Sequence, residues 1–242
     1  MAVIDIINNK CKNNKKGYFI LIDPEKKLVD LKRIVDNVNS SPVDAILVGG
    51  SNKNIIGFQS FIAHLKKMTN VPVIIFPGSH SQVSSKADAI FLLSLINSRS
   101  VKYLIGEHID AAEKIVKSKI EVIQTSYIVM DKTGETSVSR EVEITMLKTK
   151  KEIEKYIYVS SLMHFDVIYL DAGSGAFQTI DPLVVKNARK ILSKPIILGG
   201  GINTVEKAKK LLKAGADFIV TGNAIERNPD IISDFGKLVK RF

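Results

Sequence analysis

The sequence predicts a single (β/α)8 barrel that spans residues 1–242. Eight apolar, β-branched runs recur along the chain, and most of the intervals between them carry helical periodicity. Because the runs are continuously apolar rather than alternating, they are typical of parallel strands that helices cover on both faces. No linker-like or low-complexity tract divides the chain. Eight such units in 242 residues favour a barrel, with a doubly wound open sheet as the alternative.

The predicted elements follow one another in a regular order. In chain order, the strands cover 18–23, 45–50, 72–76, 89–96, 120–129, 167–173, 195–201 and 218–224. Helical spacing of apolar residues covers 27–39, 54–68, 102–117, 151–163, 181–192 and 204–215. The last of these helices begins at Thr204, carries Glu206 in its first turn and ends at Gly215, which are typical start and stop signals.

The interval at 77–88, "PGSHSQVSSKAD", departs from the regular alternation of strands and helices. It opens on a Pro-Gly breaker and has too few residues for a crossover helix with its turns. We therefore expect a shortened or missing helix after the third strand. The segment is either a trimmed connection without further meaning or a side opening for a long apolar ligand.

Composition limits where the chain works and what it binds. The single cysteine, Cys11, excludes an internal disulfide, and the longest apolar run, 89–96, is too short to span a bilayer. We therefore expect a soluble, cytoplasmic protein. The formal charge of +10 permits an anionic partner, but the lysines alternate with glutamates on helix-like stretches and no aromatic-basic motif accompanies them. This pattern argues against nucleic acid and leaves phosphorylated ligands or an anionic membrane surface open.

The carboxyl ends of the predicted strands are rich in glycine and polar residues. In a barrel these ends form the mouth where the chemistry takes place. The last two strands end in "GGG" (199–201) and "GN" (222–223), and each is followed by a predicted helix. Backbone N–H groups at two such turns can converge on one anion, which predicts a phosphate site. The alternative is that these glycines only form tight turns.

Asp23 and Ser51 follow neighbouring predicted strands and are candidate ligands for Mg²⁺. Magnesium commonly takes one or two carboxylates and completes its shell with phosphate oxygens and water. By itself the signal is weak, because an Asp-Pro pair is also an ordinary turn. The four histidines have no metal-ligand spacing, and no Ser-His-Asp or Cys-His set suggests nucleophilic catalysis.

Several of these motifs together resemble the geranylgeranylglyceryl phosphate synthase family, which includes the heptaprenylglyceryl phosphate synthases. The matching stretches are "LIDP", "VGGS", "LSLINSRSVKYLIGEH", "SYIVMDKTGETSV", "YLDAGSGA", "LGGGI" and "VTGNA", in the family's order and over nearly the whole chain. The chain is more similar to the group with "LIDP" and "AGSGA" than to the group with a lysine before the aspartate.

The resemblance implies a TIM barrel that joins a prenyl diphosphate to the 3-hydroxyl of sn-glycerol 1-phosphate with Mg²⁺ and releases diphosphate. It implies metal binding by Asp23 and Ser51, and Asp171 as the acidic residue at the hydroxyl. It also implies a glycerol phosphate site, whose residues are Tyr169, Leu170, Asp171, Ala172, Gly173, Ser174, Gly175, Gly200, Gly201, Gly222 and Asn223.

Two departures from the family pattern leave questions open. Asp171 stands where most relatives have glutamate, so it either takes the proton from the hydroxyl or only orients it. Leu21 stands where the other group has its lysine, and Arg99 is our candidate for the cation that binds the diphosphate instead.

The resemblance to archaeal-type members favours a geranylgeranyl donor. The alternatives are a longer donor such as heptaprenyl diphosphate, another phosphate-binding barrel enzyme such as an isomerase or epimerase, or a non-catalytic phosphate-binding protein. A homo-oligomer, either a dimer or a hexamer, is expected by analogy with the family. The basic exterior would suit a position near anionic membranes, where lipid substrates reside.

Overall fold

The computed structural model of the chain describes residues 1–26, 30–50, 55–130 and 143–242. Eight parallel strands form a closed barrel in the order β1 to β8, so the predicted barrel is confirmed and the open-sheet alternative was wrong. Each strand begins close to its predicted start. The strands are Gly17–Ile22, Ala45–Val48, Val73–Ile75, Ala89–Leu95, Glu121–Val129, Val167–Asp171, Ile196–Gly199 and Phe218–Thr221.

Helices surround the barrel. Those described are α1 (Val3–Lys12), α2 (Leu31–Ser40), α3 (Phe58–Met68), a π-helical turn (Lys102–Gly106), α4 (Glu107–Ser118), α5 (Lys150–Leu162), α6 (Pro182–Ile191), α7 (Val205–Ala214), α8 (Asn223–Arg227) and α9 (Ile231–Val239). All six predicted helices are present, although residues 27–29 and 54 of the first two lie outside the described ranges. The predicted signals of α7 hold: Thr204 accepts a hydrogen bond from Lys207 N, and Gly215 has φ +119°. Helices α1 and α9 were not predicted.

Strand alternation divides the apolar residues into two cores. Side chains that point inward fill the barrel, where the rings of Phe19 and Phe218 stack at 4.7 Å. Val3 and Ile7 of α1 join this inner core, and Glu121 anchors the helix by accepting from Val3 N at 2.6 Å. The outward-pointing side chains pack against the helices. Because the interior is filled, ligands must bind at the mouth.

The segment 76–88 passes from β3 to β4 without a helix, which confirms the missing helix after the third strand. Gln82 is buried here, accepts from Gly78 N at 3.0 Å and donates to the carbonyl of Gly50 at 3.0 Å. Asp88 closes the segment by accepting from Val73 N at 2.7 Å. The connection is therefore fastened at both ends, and the helical ring is open on this side.

No helix in the described part of the chain is long and apolar enough to cross a membrane.

Candidate active site

The loops after β6 and β7 meet at the barrel mouth, and glycine is required where they touch. A Cβ at Gly199 would lie 2.2 Å from the Tyr169 hydroxyl, and one at Gly200 would lie 2.7 Å from Asp171 Oδ1. Gly200 and Gly201 have φ of +80° and +67°, in the left-handed region that favours glycine. These glycines therefore let the two loops pack directly against each other.

The other predicted residues of this site lie around the same contact, but the side chains of Leu170 and Ala172 pack in the outer core. Gly173 and Gly175 have positive φ, and the Asn223 side chain lies beside Gly175. Ser174 and Gly222 line the same cavity as Asn223. Leu170, however, points outward and is fully buried between the barrel and the helices. Only its main chain can face a ligand, because successive side chains of a strand point to opposite faces.

Asp171 ends β6 and is buried, with 7% of its surface exposed. Its Oδ2 accepts a hydrogen bond from the Tyr127 hydroxyl at 2.6 Å, and its Oδ1 accepts from Gly173 N at 2.8 Å. Burial, followed by the charge of Asp171, raises the pKa of Tyr127 and of Tyr169 well above the ordinary value. Tyr127 therefore keeps its proton and donates a hydrogen bond to the carboxylate.

An aromatic cluster forms the floor beneath Asp171. The ring of Phe76, at the end of β3, lies 5.0 Å from Tyr169 and 5.6 Å from Tyr127, and the two tyrosines lie 5.5 Å apart. Tyr127 and Phe76 were not predicted as part of this floor. The signal for Tyr127 was its place on β5, which the barrel register pairs with Tyr169 of β6.

Asp23 lies at the mouth at the end of β1. Its Oδ1 accepts from Glu25 N at 3.1 Å, and a Cβ at Gly50 would lie 2.5 Å from that oxygen. The side chain is thus held by a turn against the end of β2. Ser51, the other predicted metal ligand, lies outside the described residues.

Lys26, which was not predicted, follows Asp23 into the cavity. Its Nζ donates to Asn223 Oδ1 at 2.7 Å and pairs with Glu226 at 3.0 Å. Arg99, the predicted cation, has an exposed side chain and is not among the residues that line the cavity. The structure brings Lys26, not Arg99, to the mouth.

One continuous cavity of about 330 Å³ joins the mouth to a groove at the side of the barrel. Its polar end is formed by Asp23, Lys26, Asp171 and Asn223. Its other end is mostly apolar and runs between the 76–83 connection, β4 and one face of α4. It is lined by Pro77, Val83, Ile90, Leu92, Leu93, Ala111 and Ile115. The missing helix therefore leaves an apolar groove that opens into the mouth.

A polar strap crosses beside this groove. Glu107, at the start of α4, accepts from His80 N at 2.6 Å and from its Nδ1 at 2.9 Å, and pairs with Lys102 at 3.3 Å. Burial alone would raise the pKa of Glu107, but the bonds from His80 and Lys102 outweigh it and lower the pKa. The strap holds the 76–88 connection against α4.

Among the described side chains, no group of three or more His, Cys, Asp or Glu forms a metal cage. A lone carboxylate such as Asp23 still suits Mg²⁺, which completes its shell with substrate oxygens and water. It does not suit a structural zinc ion, which needs four protein ligands.

Known proteins resemble this chain over nearly its full length. The geranylgeranylglyceryl phosphate synthases of Spirosoma linguale and of Saccharolobus islandicus (strain M.14.25) are 36% and 38% identical to it. The matches cover 95% and 92% of this chain and 94% and 88% of those proteins, respectively. These similarities confirm the resemblance inferred from the sequence motifs.

A solved structure and a family model agree with these relatives. The crystal structure of (S)-3-O-geranylgeranylglyceryl phosphate synthase from Thermoplasma acidophilum, in complex with sn-glycerol-1-phosphate, superposes with a TM-score of 0.92 at 35% identity and covers 100% of both chains. The model of the PcrB family matches residues 9–239. The chain belongs to the PcrB family.

Proposed function

We propose that this protein is a prenyltransferase that joins the C3 hydroxyl of sn-glycerol 1-phosphate to a prenyl diphosphate, with geranylgeranyl diphosphate as the expected donor. The observation that carries the proposal is the continuous cavity, which links a glycine-rich polar mouth with a buried carboxylate to an apolar side groove. The relatives, which are geranylgeranylglyceryl phosphate synthases, and the sn-glycerol-1-phosphate bound in the Thermoplasma structure support the same reaction.

The glycerol phosphate would lie where the loops after β6, β7 and β8 meet. Glycines at 173, 175, 200 and 201 have positive φ, which allows tight turns with main-chain groups at the mouth. Backbone N–H groups are suitable donors to a phosphate. This arrangement supports the predicted roles of Tyr169 through Gly175, Gly200, Gly201, Gly222 and Asn223, with Leu170 and Ala172 contributing their main chains alone.

Asp171 is the group that would act on the glycerol hydroxyl. In the reaction, the hydroxyl oxygen forms a bond to C1 of the prenyl chain, the C1–O bond to diphosphate breaks, and the hydroxyl proton goes to a base. The Asp171 carboxylate is held by Tyr127 and Gly173 N. Asp171→Asn separates its two possible roles, base or orienting group.

Mg²⁺ would be bound by Asp23 and by substrate oxygens, with Ser51 as the second predicted ligand. When bound, the ion neutralises charge that develops on the departing diphosphate. The role of this chain is to present Asp23 at the mouth, where the Glu25 N–H and the Gly50 backbone restrain it. Mg²⁺ dependence is part of the proposal.

The prenyl chain would leave the mouth through the side groove. The filled barrel has no room for it, whereas Val83, Ile90, Ala111 and Ile115 offer an apolar path outside the strands. Phe76 is a poor probe of this path, because its ring also packs on Tyr127 and Tyr169. Substitutions further along the groove separate chain accommodation from catalysis.

A homo-oligomer in the cytoplasm, near anionic membranes, completes the proposal. Val101, Ile109 and Val116 expose 70%, 68% and 76% of their surfaces around the start and outer face of α4, which supports self-association on this side. Light scattering on the purified protein should show a mass that is a multiple of 26.7 kDa. A purely monomeric species would contradict the oligomer.

One set of assays tests the reaction. Purified protein is incubated with prenyl diphosphates of increasing length and with either sn-glycerol 1-phosphate or the 3-phosphate, with and without Mg²⁺. We expect an ether product and diphosphate only with the 1-phosphate and Mg²⁺. Absence of product from every donor would refute the proposal and would favour an isomerase or epimerase. Binding of glycerol phosphate without diphosphate release would favour a non-catalytic protein.

A further inference from the structure

We propose that Lys26 is the cation that binds the diphosphate of the prenyl donor, and that Glu226 and Asn223 hold it in place before the donor arrives. This inference rests on the proposed function and names a residue that the motifs left unassigned. It replaces Arg99, whose side chain is exposed outside the cavity.

The contacts of Lys26 place its ammonium group at the polar end of the cavity. Its Nζ lies 2.7 Å from Asn223 Oδ1 and 3.0 and 3.1 Å from the two oxygens of Glu226. These partners lie at the start of α8, 197 and 200 residues away in the chain. The closure of the barrel between β1 and β8 brings them together.

The charge balance of the cavity favours such a cation. Four carboxylates line it: Glu107 is paired with Lys102 beside the groove, and Asp23, Asp171 and Glu226 lie at the polar end. Of the lining residues that the structure describes, Lys26 is the one lysine or arginine. A diphosphate that enters this acidic mouth needs a positive charge beyond the one supplied by a metal ion. Leu21, at the position of the other group's lysine, cannot supply it.

The proposed reaction has two anionic substrates, glycerol phosphate and the prenyl diphosphate, and the ammonium group of Lys26 is chemically suited to either. The phosphate of glycerol phosphate already has the glycine turns at 199–201 and 222 and the Nδ2 side of Asn223, which lies beside Gly175, while Lys26 contacts the Oδ1 side of that amide. Lys26 lies instead in the turn of Asp23, to whose carbonyl its own N–H donates at 3.3 Å. A metal ion at Asp23 and the ammonium group of Lys26 would therefore contact the same anion. Because Lys26 and the proposed metal ligand Asp23 lie in the same turn, Lys26 is assigned to the diphosphate and not to glycerol phosphate.

The ion pair with Glu226 is suited to exchange. The Lys26 side chain is 40% exposed and that of Glu226 19% exposed, and a pair this accessible contributes little to stability. A diphosphate carries more negative charge than one carboxylate, so it can displace Glu226 at small cost. Glu226 then competes with the substrate for Lys26, and removal of its charge should tighten diphosphate binding.

Calorimetry with inorganic diphosphate and Mg²⁺, together with steady-state kinetics, tests the assignment on the full chain. In Lys26→Met, we expect diphosphate affinity to fall roughly ten- to hundredfold, the KM for the prenyl donor to rise by a similar factor, and the KM for sn-glycerol 1-phosphate to stay within about twofold. Glu226→Gln should bind diphosphate more tightly than wild type. Lys26→Arg should recover much of the lost affinity. Lys237→Met removes an exposed lysine on α9 and serves as the control.

The outcomes separate this inference from the proposed function. If wild type turns over and Lys26→Met binds diphosphate as well as wild type does, the inference is wrong and the prenyltransferase stands. A rise confined to the KM of glycerol phosphate would also overturn it, because Lys26 would then serve the other phosphate. If wild type makes no product yet binds diphosphate through Lys26, the anion site stands and the proposed reaction fails. Circular dichroism verifies that each variant is folded.

Discussion

Replacement of Asp171 by asparagine separates the two roles that this carboxylate can play. The Gly173 N–H can only donate, so the amide oxygen of the substituted side chain must take the position of Oδ1. The amide NH2 group then faces Tyr127, whose hydroxyl can rotate and accept instead of donating. The hydrogen bonds with Gly173 N and with the Tyr127 hydroxyl can therefore both be kept in Asp171→Asn. We therefore expect a stability loss of only about 1 kcal/mol, or roughly 2–4 °C in Tm for a chain of this size.

Activity should respond far more strongly than stability. If Asp171 takes the proton, Asp171→Asn removes the base, and kcat should fall by roughly 10²- to 10⁴-fold. Tyr127→Phe keeps the carboxylate and removes only one donor, so it should cost less. The assay is prenyl transfer with saturating Mg²⁺, accompanied by thermal unfolding of each variant. If Asp171→Asn retained more than about a tenth of wild-type kcat, Asp171 would only orient the hydroxyl and the assignment as base would be refuted.

Three further predictions concern the metal, the groove and the strap. Asp23→Asn should raise the Mg²⁺ concentration needed for half-maximal activity by at least roughly tenfold, and an unchanged requirement would remove Asp23 from the metal site. Ala111→Phe should obstruct the groove and reduce kcat/KM about tenfold for long prenyl donors but not for short ones, whereas Lys114→Phe, at an exposed position of α4, should leave both unchanged. The pKa of Glu107 is lowered, so its stabilising effect is present above the ordinary glutamate pKa and is lost as pH falls through the lowered value. The thermal stabilities of wild type and Glu107→Gln should therefore differ at neutral pH, and the difference should shrink as pH falls below the ordinary glutamate pKa of about 4.3. Parallel pH profiles would show that the Glu107 carboxylate does not stabilise the contact with His80.

The candidate site was predictable where a residue's position along its strand was sufficient. Asp171 follows an apolar strand and therefore had to lie at the mouth, and the glycines at 200 and 201 follow the next strand in the same way. The direction of a side chain does not follow from a position near a strand end, as Leu170 and Arg99 illustrate. Both lie close to strand ends, but one side chain points into the helix layer and the other is exposed outside the cavity.

The contacts that matter for chemistry depended on strand register and barrel closure. Tyr127 and Asp171 are 44 residues apart and meet because β5 and β6 are neighbours. Strand alternation determines that the Tyr127 side chain points into the barrel, but only the register of β5 and β6 determines that it meets Asp171. Lys26 and Glu226 meet because the first and last strands pair. Neither pair has a local sequence signal.

The amino-acid sequence by itself determined the eight repeating units, the missing helix at 77–88 and the concentration of glycine and acidic residues at strand ends. These are local properties, because apolar spacing and chain breakers act within a few residues. The tertiary structure alone decided which strand ends share one cavity, which tyrosine donates to Asp171 and which lysine stands beside Asp23. Those relations depend on the direction of each side chain and on the closing of the barrel, which join residues far apart in the chain.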